Sequence, residues 1–236
     1  MYKIYIPSKG RAGEVSTLGL VKKATLVVPV EEVEEYKKYY GDRAEILGCN
    51  KKGITSTRNW ILDNADVNQI VMIDDDAVGV KLMGKKEVFK NNWLLDIVID
   101  RMFLLTKEWG LKCWGLSQAS DPKFYRAYSP FSTLSVIASN IIGIIRTGLR
   151  FDERFVVKED FDFSLQQMYY YRGVLRDNRF WLVVKHLTNK GGCVSYRTQE
   201  VENKSIELLE RKWGKKVVKR TRAHNMMKII VPLHGI

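Results

Sequence analysis

The sequence predicts a single α/β domain with a mixed central sheet. Strand-like and helix-like segments alternate through the first 76 residues in a βαβαβ-like order. Residues 70–73 are continuously apolar, as expected for a strand that is buried on both faces. With 236 residues and 45% apolar content, the chain can fill one core without help from disulfides.

The first half of the chain supplies the alternating part of this prediction. Residues 2–7 alternate polar and apolar side chains and run into a flexible loop over 8–13. Acidic residues in the first turn and apolar residues at helical spacing predict a helix over 31–40. The prediction for this half is strands over 2–7, 24–29, 44–47 and 69–73, and helices over 31–40 and 55–65.

The second half predicts longer helices and less regular strands. Asn91 or Asn92 caps a helix with an apolar stripe that ends near Gly110. The remaining pattern predicts β-structure within 114–145, helices over 159–171 and 201–213, a strand over 179–184 and a Gly-rich loop over 190–193. Alternation followed by mixed strands suggests a Rossmann-like nucleotide-binding half joined to an acceptor-binding half in one unit.

Composition narrows the classes of function. The longest apolar stretch, 134–145, is too short for a bilayer and contains polar residues, and the first residues lack a signal-peptide pattern. We therefore expect a cytoplasmic protein without membrane attachment. Three widely separated cysteines, Cys49, Cys113 and Cys193, argue against a disulfide framework. The net charge of +12 favours polyanionic partners but identifies none by itself.

Three consecutive aspartates follow the apolar strand over 69–73. Asp74, Asp75 and Asp76 therefore lie at the carboxyl end of a buried strand, where open α/β sheets bind ligands. Asp74 and Asp76 flank one residue and can reach one hard cation, which would neutralise a diphosphate leaving group. The alternative is an acidic turn that caps the next segment or stays solvated. The position after a buried strand favours the metal site.

Two more residues are candidates for chemistry. His186 follows the predicted strand and is a candidate metal ligand at the same sheet edge, although a partly buried histidine with a satisfied hydrogen bond explains it equally well. Asp160 lies in the acidic segment 158–163 at the start of a predicted helix. Such acids commonly stabilise the positive end of a helix, but a carboxylate that faces the cleft can act as a general base.

Two segments of the first half are suited to phosphate groups. Ser8, Lys9 and Arg11 lie on the loop that follows the first strand and combine backbone amides with two cations. Arg58 lies near the start of a predicted helix, whose amino end favours anions. Neither segment matches a Walker or GxGxxG fingerprint.

Five motifs occur in a recognisable order: Ile-Pro-Ser-Lys-Gly-Arg-Ala (6–12), Thr-Arg-Asn-Trp (57–60), Val-Met-Ile-Asp-Asp-Asp (71–76), Lys-Glu-Asp-Phe-Asp (158–162) and Gly-Gly-Cys (191–193). In this order they resemble the TET/JBP-associated glycosyltransferases. These are GT-A-fold enzymes, many of them encoded by bacteriophages, and are related to the glucosyltransferase that makes base J in DNA. The resemblance extends from residue 4 to about residue 220.

The resemblance implies transfer of a sugar from a UDP-sugar, with UDP-glucose the first choice, to a hydroxymethyl group of a modified pyrimidine in DNA. Asp74 and Asp76 match the family's DxD pair, which binds Mn²⁺ or Mg²⁺ and the ribose-diphosphate, and Asp75 is counted with the donor-side residues without an individual role. Asp160 matches the base of inverting members, and His186 resembles a late metal ligand. Ser8, Lys9, Arg11 and Arg58 fall on donor-side motifs.

The resemblance also gives the charge a purpose. A dense basic run after the last predicted helix suits phosphate contacts that do not read sequence. The proposed DNA-binding residues are Lys215, Lys216, Lys219, Arg220 and Arg222, next to Lys212. The aromatic residues of 114–131, which include Trp114, Phe124 and Tyr128, can stack a flipped base, although core packing is the commoner role.

The expected organisation of the single domain is a donor-binding half over 1–90, an acceptor and catalytic half over 91–200, and a basic helix and tail over 201–236. Two other functions stay open from the sequence. One is the same fold acting on a carbohydrate, lipid or protein acceptor, and the other is a nucleic-acid-binding module with a vestigial site. Clustered acids and a basic surface would also suit a two-metal nuclease, but that function leaves the loop of Lys9 and Arg11 unexplained.

Overall fold

A mixed sheet of eight strands forms the centre of the fold. The computed structural model describes residues 1–118, 125–138, 140–185, 197–221 and 227–231. The helices are α1 (Val33–Tyr40), α2 (Ile54–Asn64), α3 (Asn92–Glu108), α4 (Glu159–Tyr171) and α5 (Gln199–Trp213). The strands are β1 (Tyr2–Pro7), β2 (Thr25–Pro29), β3 (Glu45–Cys49), β4 (Gln69–Ile73), β5 (Ala77–Leu82), β6 (Val88–Phe89), β7 (Cys113–Leu116), β8 (Phe131–Ser132), β9 (Ile141–Ile145), β10 (Leu175–Asp177), β11 (Phe180–Val184), β12 (Val218–Arg220) and β13 (Met227–Ile229).

The order of strands in the central sheet is β3-β2-β1-β4-β9-β7-β10-β8. The first four strands are parallel to one another. Strand β9 is antiparallel to both β4 and β7, β10 is parallel to β7, and β8 is antiparallel to β10. The predicted α/β fold with an alternating first half and mixed strands later is therefore confirmed.

Strand direction brings the predicted donor-side residues to one edge of the sheet. Because β1 and β4 are adjacent and parallel, the loop after Pro7 and the aspartates after Ile73 emerge side by side. Strand β9 starts at the same edge, since Ile141 pairs with Ile73. The carbonyl of Asn140, just before β9, accepts a hydrogen bond from the amide of Asp74 at 2.9 Å.

Helices cover both faces of the sheet because alternate side chains of its strands point to opposite sides. On one face, Ile4, Ile6 and Ile73 join a core with buried residues of α1 and α3. On the other face, Ile70 and Met72 join a core with buried residues of α2, α4 and α5. A strand buried on both faces explains the continuous apolar run that ends at the aspartates.

A second sheet of three strands, in the order β11-β5-β6, lies beside the aspartates. Strand β5 follows the triplet directly, and its antiparallel partner β11 brings Lys185 back to it, where the Lys185 amide donates to the Asp76 carbonyl at 3.0 Å. The sequence analysis predicted β11 but not β5 or β6. The two strands lie in a short segment, 77–89, which contains two glycines and shows no clear alternation of polar and apolar residues.

The predicted boundaries over 2–7, 69–73 and 159–171 are confirmed. The first predicted helix starts later than expected, at Val33, because residues 30–32 form a separate 3₁₀ turn. In the described part of the chain no helix is long and apolar enough to cross a membrane. Cys49 and Cys113 are buried thiols, and Cys193 lies outside the described residues.

A glycine in β9 makes room for the largest buried side chain of the core. Trp114 of β7 is opposite Gly143, and a Cβ atom added to Gly143 would overlap the Trp114 indole. We expect Gly143→Ala to lower the free energy of unfolding by about 1–3 kcal/mol, because the buried indole cannot move away without strain. Gly148→Ala is the matched control, since a Cβ at Gly148 meets no atom within 4 Å. Urea denaturation of both variants measures the difference, and equal stability would contradict this packing.

Candidate active site

Backbone hydrogen bonds hold the aspartate triplet in a fixed turn. The buried hydroxyl of Thr17 donates to the Asp74 carbonyl at 2.5 Å and accepts from the Ala77 amide at 3.0 Å. The Thr17 amide donates to the Asp75 carbonyl at 3.3 Å. A single side chain from the 3₁₀ turn Ser16–Gly19 thus forms hydrogen bonds with both ends of the aspartate turn. The sequence analysis missed Thr17, because no motif marks a threonine that lies 57 residues from its partner.

The side chain of Asp75 points into the protein. Its two carboxylate oxygens accept hydrogen bonds from the Ser8 hydroxyl at 2.5 Å and from the Arg11 guanidinium. Burial raises the pKa of Asp75, and the Ser8 and Arg11 contacts oppose that rise. Asp75 therefore connects the end of β4 to the loop that follows β1. The sequence analysis gave it no individual role, and the structure gives it a structural one.

Tyrosines of α1 complete this network around the loop. The Tyr36 hydroxyl lies 2.8 Å from Ser8 Oγ and accepts from the Arg11 amide at 3.0 Å. Because the Ser8 hydroxyl donates to Asp75, the Tyr36 hydroxyl is the donor to Ser8, and burial raises the pKa of Tyr36 to about 12. The Tyr40 hydroxyl accepts from the Val15 amide at 2.9 Å. These hydrogen bonds fix the backbone of the loop against α1.

Arg58 connects the triplet to the start of α4. Its guanidinium donates to Glu159 at 2.6 Å and lies 3.7 Å from Asp74 Oδ1, over the ring of Phe151. The Asp74 side chain keeps 38% of its surface exposed. Partial desolvation raises the pKa of Asp74 above its usual value, the Arg58 charge opposes the rise, and the neighbouring carboxylates add to it. Arg58 is in the second turn of α2, so it reaches this site by its side chain rather than through the helix end.

Asp160 lies in the first turn of α4, next to Glu159. The one hydrogen bond that its carboxylate forms within the described residues comes from the adjacent Phe161 amide, at 2.9 Å. Desolvation raises the pKa of Asp160 to about 7, the Glu159 charge adds to the rise, and Arg58 opposes it. The predicted base is therefore close enough to the Arg58 and Glu159 pair to be affected by both charges.

The residues predicted to handle phosphate divide into two groups. Ser8, Arg11 and Arg58 converge on the triplet, although Ser8 and Arg11 reach Asp75 and Arg58 approaches Asp74. Lys9 is exposed on the same loop, and its predicted donor contact stays a prediction. The predicted ligand His186 lies outside the described residues, directly after Lys185 in the chain.

The basic run after α5 is more heterogeneous than its sequence suggested. Lys215, Lys216 and Lys219 are exposed, whereas Arg222 lies outside the described residues. Two cations already have internal partners: Lys212 pairs with Asp152 and Asp162 at 2.8 and 2.9 Å, and Arg220 pairs with Glu210 at 3.0 Å. The expectation that Lys212 belongs to a phosphate-binding surface is corrected, because its charge is engaged by carboxylates of the protein.

The aromatic residues of the acceptor half also divide. Trp114 is fully buried and packs edge-on against Phe103, so it belongs to the core and not to a base-stacking surface. Tyr128 is 86% exposed. Phe124 lies outside the described residues. Of the two described residues, Tyr128 is the one placed where it can contact a large ligand.

The donor set at the triplet fits a hard divalent cation that is shared with a ligand. Within the described ranges, no three His, Cys, Asp or Glu side chains are grouped closely enough to hold a metal ion by themselves. Mg²⁺ commonly binds through one or two carboxylates together with substrate phosphates. Asp74 and Asp76, both partly exposed at the strand end, supply carboxylates of that kind.

Solved structures with the same fold are glycosyltransferases of the GT-A class. One is S. aureus TarS (residues 1–349) in complex with UDP-GlcNAc, with a TM-score of 0.52 and 12% identity over 95% of this chain and 69% of that one. Another is glucosyl-3-phosphoglycerate synthase from Mycobacterium tuberculosis with Mg²⁺ and UDP, with a TM-score of 0.54 and 10% identity over 89% of this chain and 79% of that one. At this identity the similarity establishes the fold.

The chain belongs to the TET-associated glycosyltransferase family, whose model matches residues 2–192. No curated protein matches it at a significant level. The family and the fold together identify the protein as a glycosyltransferase, as the sequence analysis predicted. The match covers every motif that carried the resemblance except the last residue of Gly-Gly-Cys (191–193), and it ends before α5.

The ion pair of Asp75 and Arg11 gives a test of this site that does not depend on activity. We expect Asp75→Asn to lower the free energy of unfolding by about 3 kcal/mol, because the buried Arg11 guanidinium loses its counter-charge. Asp66→Asn is the control, since the Asp66–Lys3 pair is exposed and its loss should change the stability far less. Urea denaturation checks both values, and an unchanged Asp75→Asn variant would contradict the structural role of Asp75.

Proposed function

We propose that this glycosyltransferase transfers a sugar from a UDP-sugar, with UDP-glucose the first candidate, to the hydroxymethyl group of 5-hydroxymethylcytosine or 5-hydroxymethyluracil in DNA. The proposal depends on one observation: several polar groups lie together at one edge of the sheet. They are the aspartate triplet, the loop of Ser8 and Arg11, Arg58, and Asp160, whose carboxylate accepts a hydrogen bond from the adjacent Phe161 amide. Two structures of similar fold were solved in complex with UDP-GlcNAc or UDP, which supports a UDP-linked donor.

Asp74 and Asp76 are the proposed residues that hold Mn²⁺ or Mg²⁺, together with His186. When bound, the metal would neutralise charge on the diphosphate as it leaves. The protein's own contribution is geometric: Thr17 fixes the turn and Arg11 engages Asp75, so the side chains of Asp74 and Asp76 start from a rigid backbone. The loop amides and Lys9 lie next to this turn and are suited to the donor phosphates.

Asp160 is the proposed general base. A carboxylate within hydrogen-bond reach of the acceptor hydroxyl removes its proton as the hydroxyl oxygen attacks the sugar carbon and UDP departs. A pKa raised to about 7 suits this task, since a base is most effective when its pKa is near the working pH. This role applies to an inverting reaction, in which one displacement occurs.

The acceptor proposal is supported by the charge of the surface. Lys215, Lys216 and Lys219 are exposed cations on a chain with a net charge of +12, and cations of this kind contact phosphates independently of base sequence. A base must leave the duplex stack to reach a buried site, and exposed aromatics such as Tyr128 can stack on such a base.

Direct transfer tests this proposal. The protein is incubated with Mn²⁺, a panel of UDP-sugars and DNA that contains cytosine, 5-hydroxymethylcytosine or 5-hydroxymethyluracil, and the nucleosides are then weighed by mass spectrometry. We expect one added hexose on a hydroxymethylated base only. We also expect Asp160→Asn to reduce the rate by about 100-fold or more, because the base is lost.

Asp162→Asn is not a suitable control, because Asp162 has structural partners. Asp66→Asn changes the same functional group far from the site and should keep the wild-type rate. Hexose on none of the DNA substrates would contradict the DNA acceptor, and hexose on a carbohydrate, lipid or protein acceptor instead would favour the alternative transferase. Full activity of Asp160→Asn would exclude it as the base.

The basic surface makes a separate prediction about salt. We expect the slope of log affinity against log salt for duplex DNA to decrease by about one for each of Lys215, Lys216 and Lys219 that is changed to Gln. A triple change of Lys37, Lys38 and Lys107 to Gln alters the net charge equally on α1 and α3 and should affect the slope less. Fluorescence anisotropy over a salt series measures both. Equal slopes for the two triple variants would contradict a local phosphate contact.

A further inference from the structure

The first turn of α4 is strained and tied to the neighbouring helix α5. Lys158, the residue before α4, has φ 65° and ψ 21°, in the left-handed region that non-glycine residues rarely adopt. Its carbonyl accepts the first helical hydrogen bond, from the Asp162 amide at 3.3 Å. The direction in which α4 begins, and with it the position of Asp160, thus depends on an unfavourable backbone conformation at Lys158.

The side chain of Lys158 forms a buried ion pair with α5. Its ammonium group lies 2.6 Å from Glu202 Oε2 in the first turn of α5, and each of these side chains is only 9% exposed. The other oxygen of Glu202 accepts from Arg197 at 2.6 Å. Burial alone would raise the pKa of Glu202, but the bonds from Lys158 and Arg197 hold that pKa below its usual value. The carboxylate is thus charged at neutral pH, as the pair requires.

Residues at the C-terminal end of α5 also contact the first turn of α4. Asp162, which is fully buried, accepts from Trp213 Nε1 at 2.8 Å and pairs with Lys212 at 2.9 Å. Glu159 is engaged by Arg58 at 2.6 Å. Of the four charged side chains in 158–162, three therefore have ionic partners on other segments. Within the described residues, the Asp160 carboxylate instead accepts its hydrogen bond from the adjacent Phe161 amide.

We infer that Glu202 and Lys158 are positioning residues: helix α5, through the Glu202–Lys158 ion pair, keeps Lys158 left-handed and thereby orients the Asp160 carboxylate toward the reacting groups. The inference rests on the proposed role of Asp160. It assigns a catalytic contribution to α5, which begins at Gln199, beyond the family match that ends at residue 192. The donor-side contacts of Ser8, Arg11 and Asp75 belong to the other end of the site and do not involve α5.

Kinetics of matched variants test the inference. We expect Glu202→Gln and Lys158→Ala to lower kcat by about tenfold or more, because small displacements of a catalytic group are costly. The KM for the UDP-sugar should stay within roughly twofold, since the contacts among Ser8, Arg11 and Asp75 are untouched. Glu200→Gln, on an exposed residue of the same helix that pairs with Lys204, is the control and should keep the wild-type kcat.

A comparison at position 158 separates positioning from simple loss of an ion pair. Lys158→Ala and Lys158→Asn both remove the ammonium group, but Asn tolerates the left-handed conformation and Ala does not. We expect Lys158→Asn to keep a kcat at least roughly threefold above that of Lys158→Ala. Equal kcat values for the two variants, or a wild-type kcat for Glu202→Gln, would overturn the inference.

Hydrogen exchange tests the same inference without an activity assay. We expect the amides of 159–163 to exchange faster in Glu202→Gln than in Glu200→Gln, with α1 and α3 unchanged. No acceleration, or an equal acceleration in every helix, would overturn a local role of Glu202. If the wild-type protein transfers no sugar to any acceptor, the proposed function fails, while the exchange experiment still decides whether α5 holds the start of α4.

Discussion

A carboxylate buried at the end of a parallel strand must be paired with donors, and in this protein those donors come from the neighbouring strand. Asp75 extends from β4 into the protein and accepts from Ser8 and Arg11, which follow β1. This contact fixes the loop after β1 against the turn after β4, and Tyr36 and Tyr40 of α1 stabilise the loop from its other side. With Asp75 turned inward and Thr17 bonded to the backbone, Asp74 and Asp76 are presented at the sheet edge on a rigid turn.

The two acidic motifs of the chain follow the same physical rule. One of the three aspartates fixes the backbone of the first motif, three of the four charged side chains fix that of the second, and the remaining carboxylates are the ones proposed for chemistry. Asp75 fixes the first motif, whereas Lys158, Glu159 and Asp162 fix the second through Glu202, Arg58 and Lys212. Arg58 approaches both motifs and therefore links the proposed metal site to the proposed base. Ordered partners of this kind reduce the cost of positioning catalytic groups.

Local patterns in the sequence were sufficient to predict several elements that define the fold. Strands β1 and β4 and helix α4 were predicted with their observed bounds, because alternation, a continuous apolar run and acidic residues at a helix start are local signals. The donor-side residues Ser8, Arg11 and Arg58 were identified from local motifs, and Ser8 and Arg11 meet the aspartates because loops at the carboxyl ends of adjacent parallel strands share one edge. Strand β5 and the pairing of Lys185 with Asp76 depend on a long-range partner strand and left no such signal.

The sequence also could not show which member of each charged motif is structural. Three consecutive aspartates look equivalent in a sequence, and only the positions of Ser8 and Arg11 distinguish Asp75 from its neighbours. For the same reason Lys212 looked like part of a basic surface, because the sequence does not show that Asp152 and Asp162 pair with it. Lys158 gave no local indication of a left-handed conformation, because the residue type seldom adopts one.

In the proposed site, Asp74 and Asp76 hold the metal and the donor diphosphate while Asp75 stays engaged with Ser8 and Arg11. Anomalous diffraction from crystals grown with Mn²⁺ and UDP tests this arrangement most directly, because it locates the metal independently of any activity. We expect one manganese peak within coordination distance of the Asp74 or Asp76 carboxylate and of the UDP phosphates, with the Asp75–Arg11 pair intact. A manganese ion bound to Asp75, or a UDP molecule away from the triplet, would contradict it.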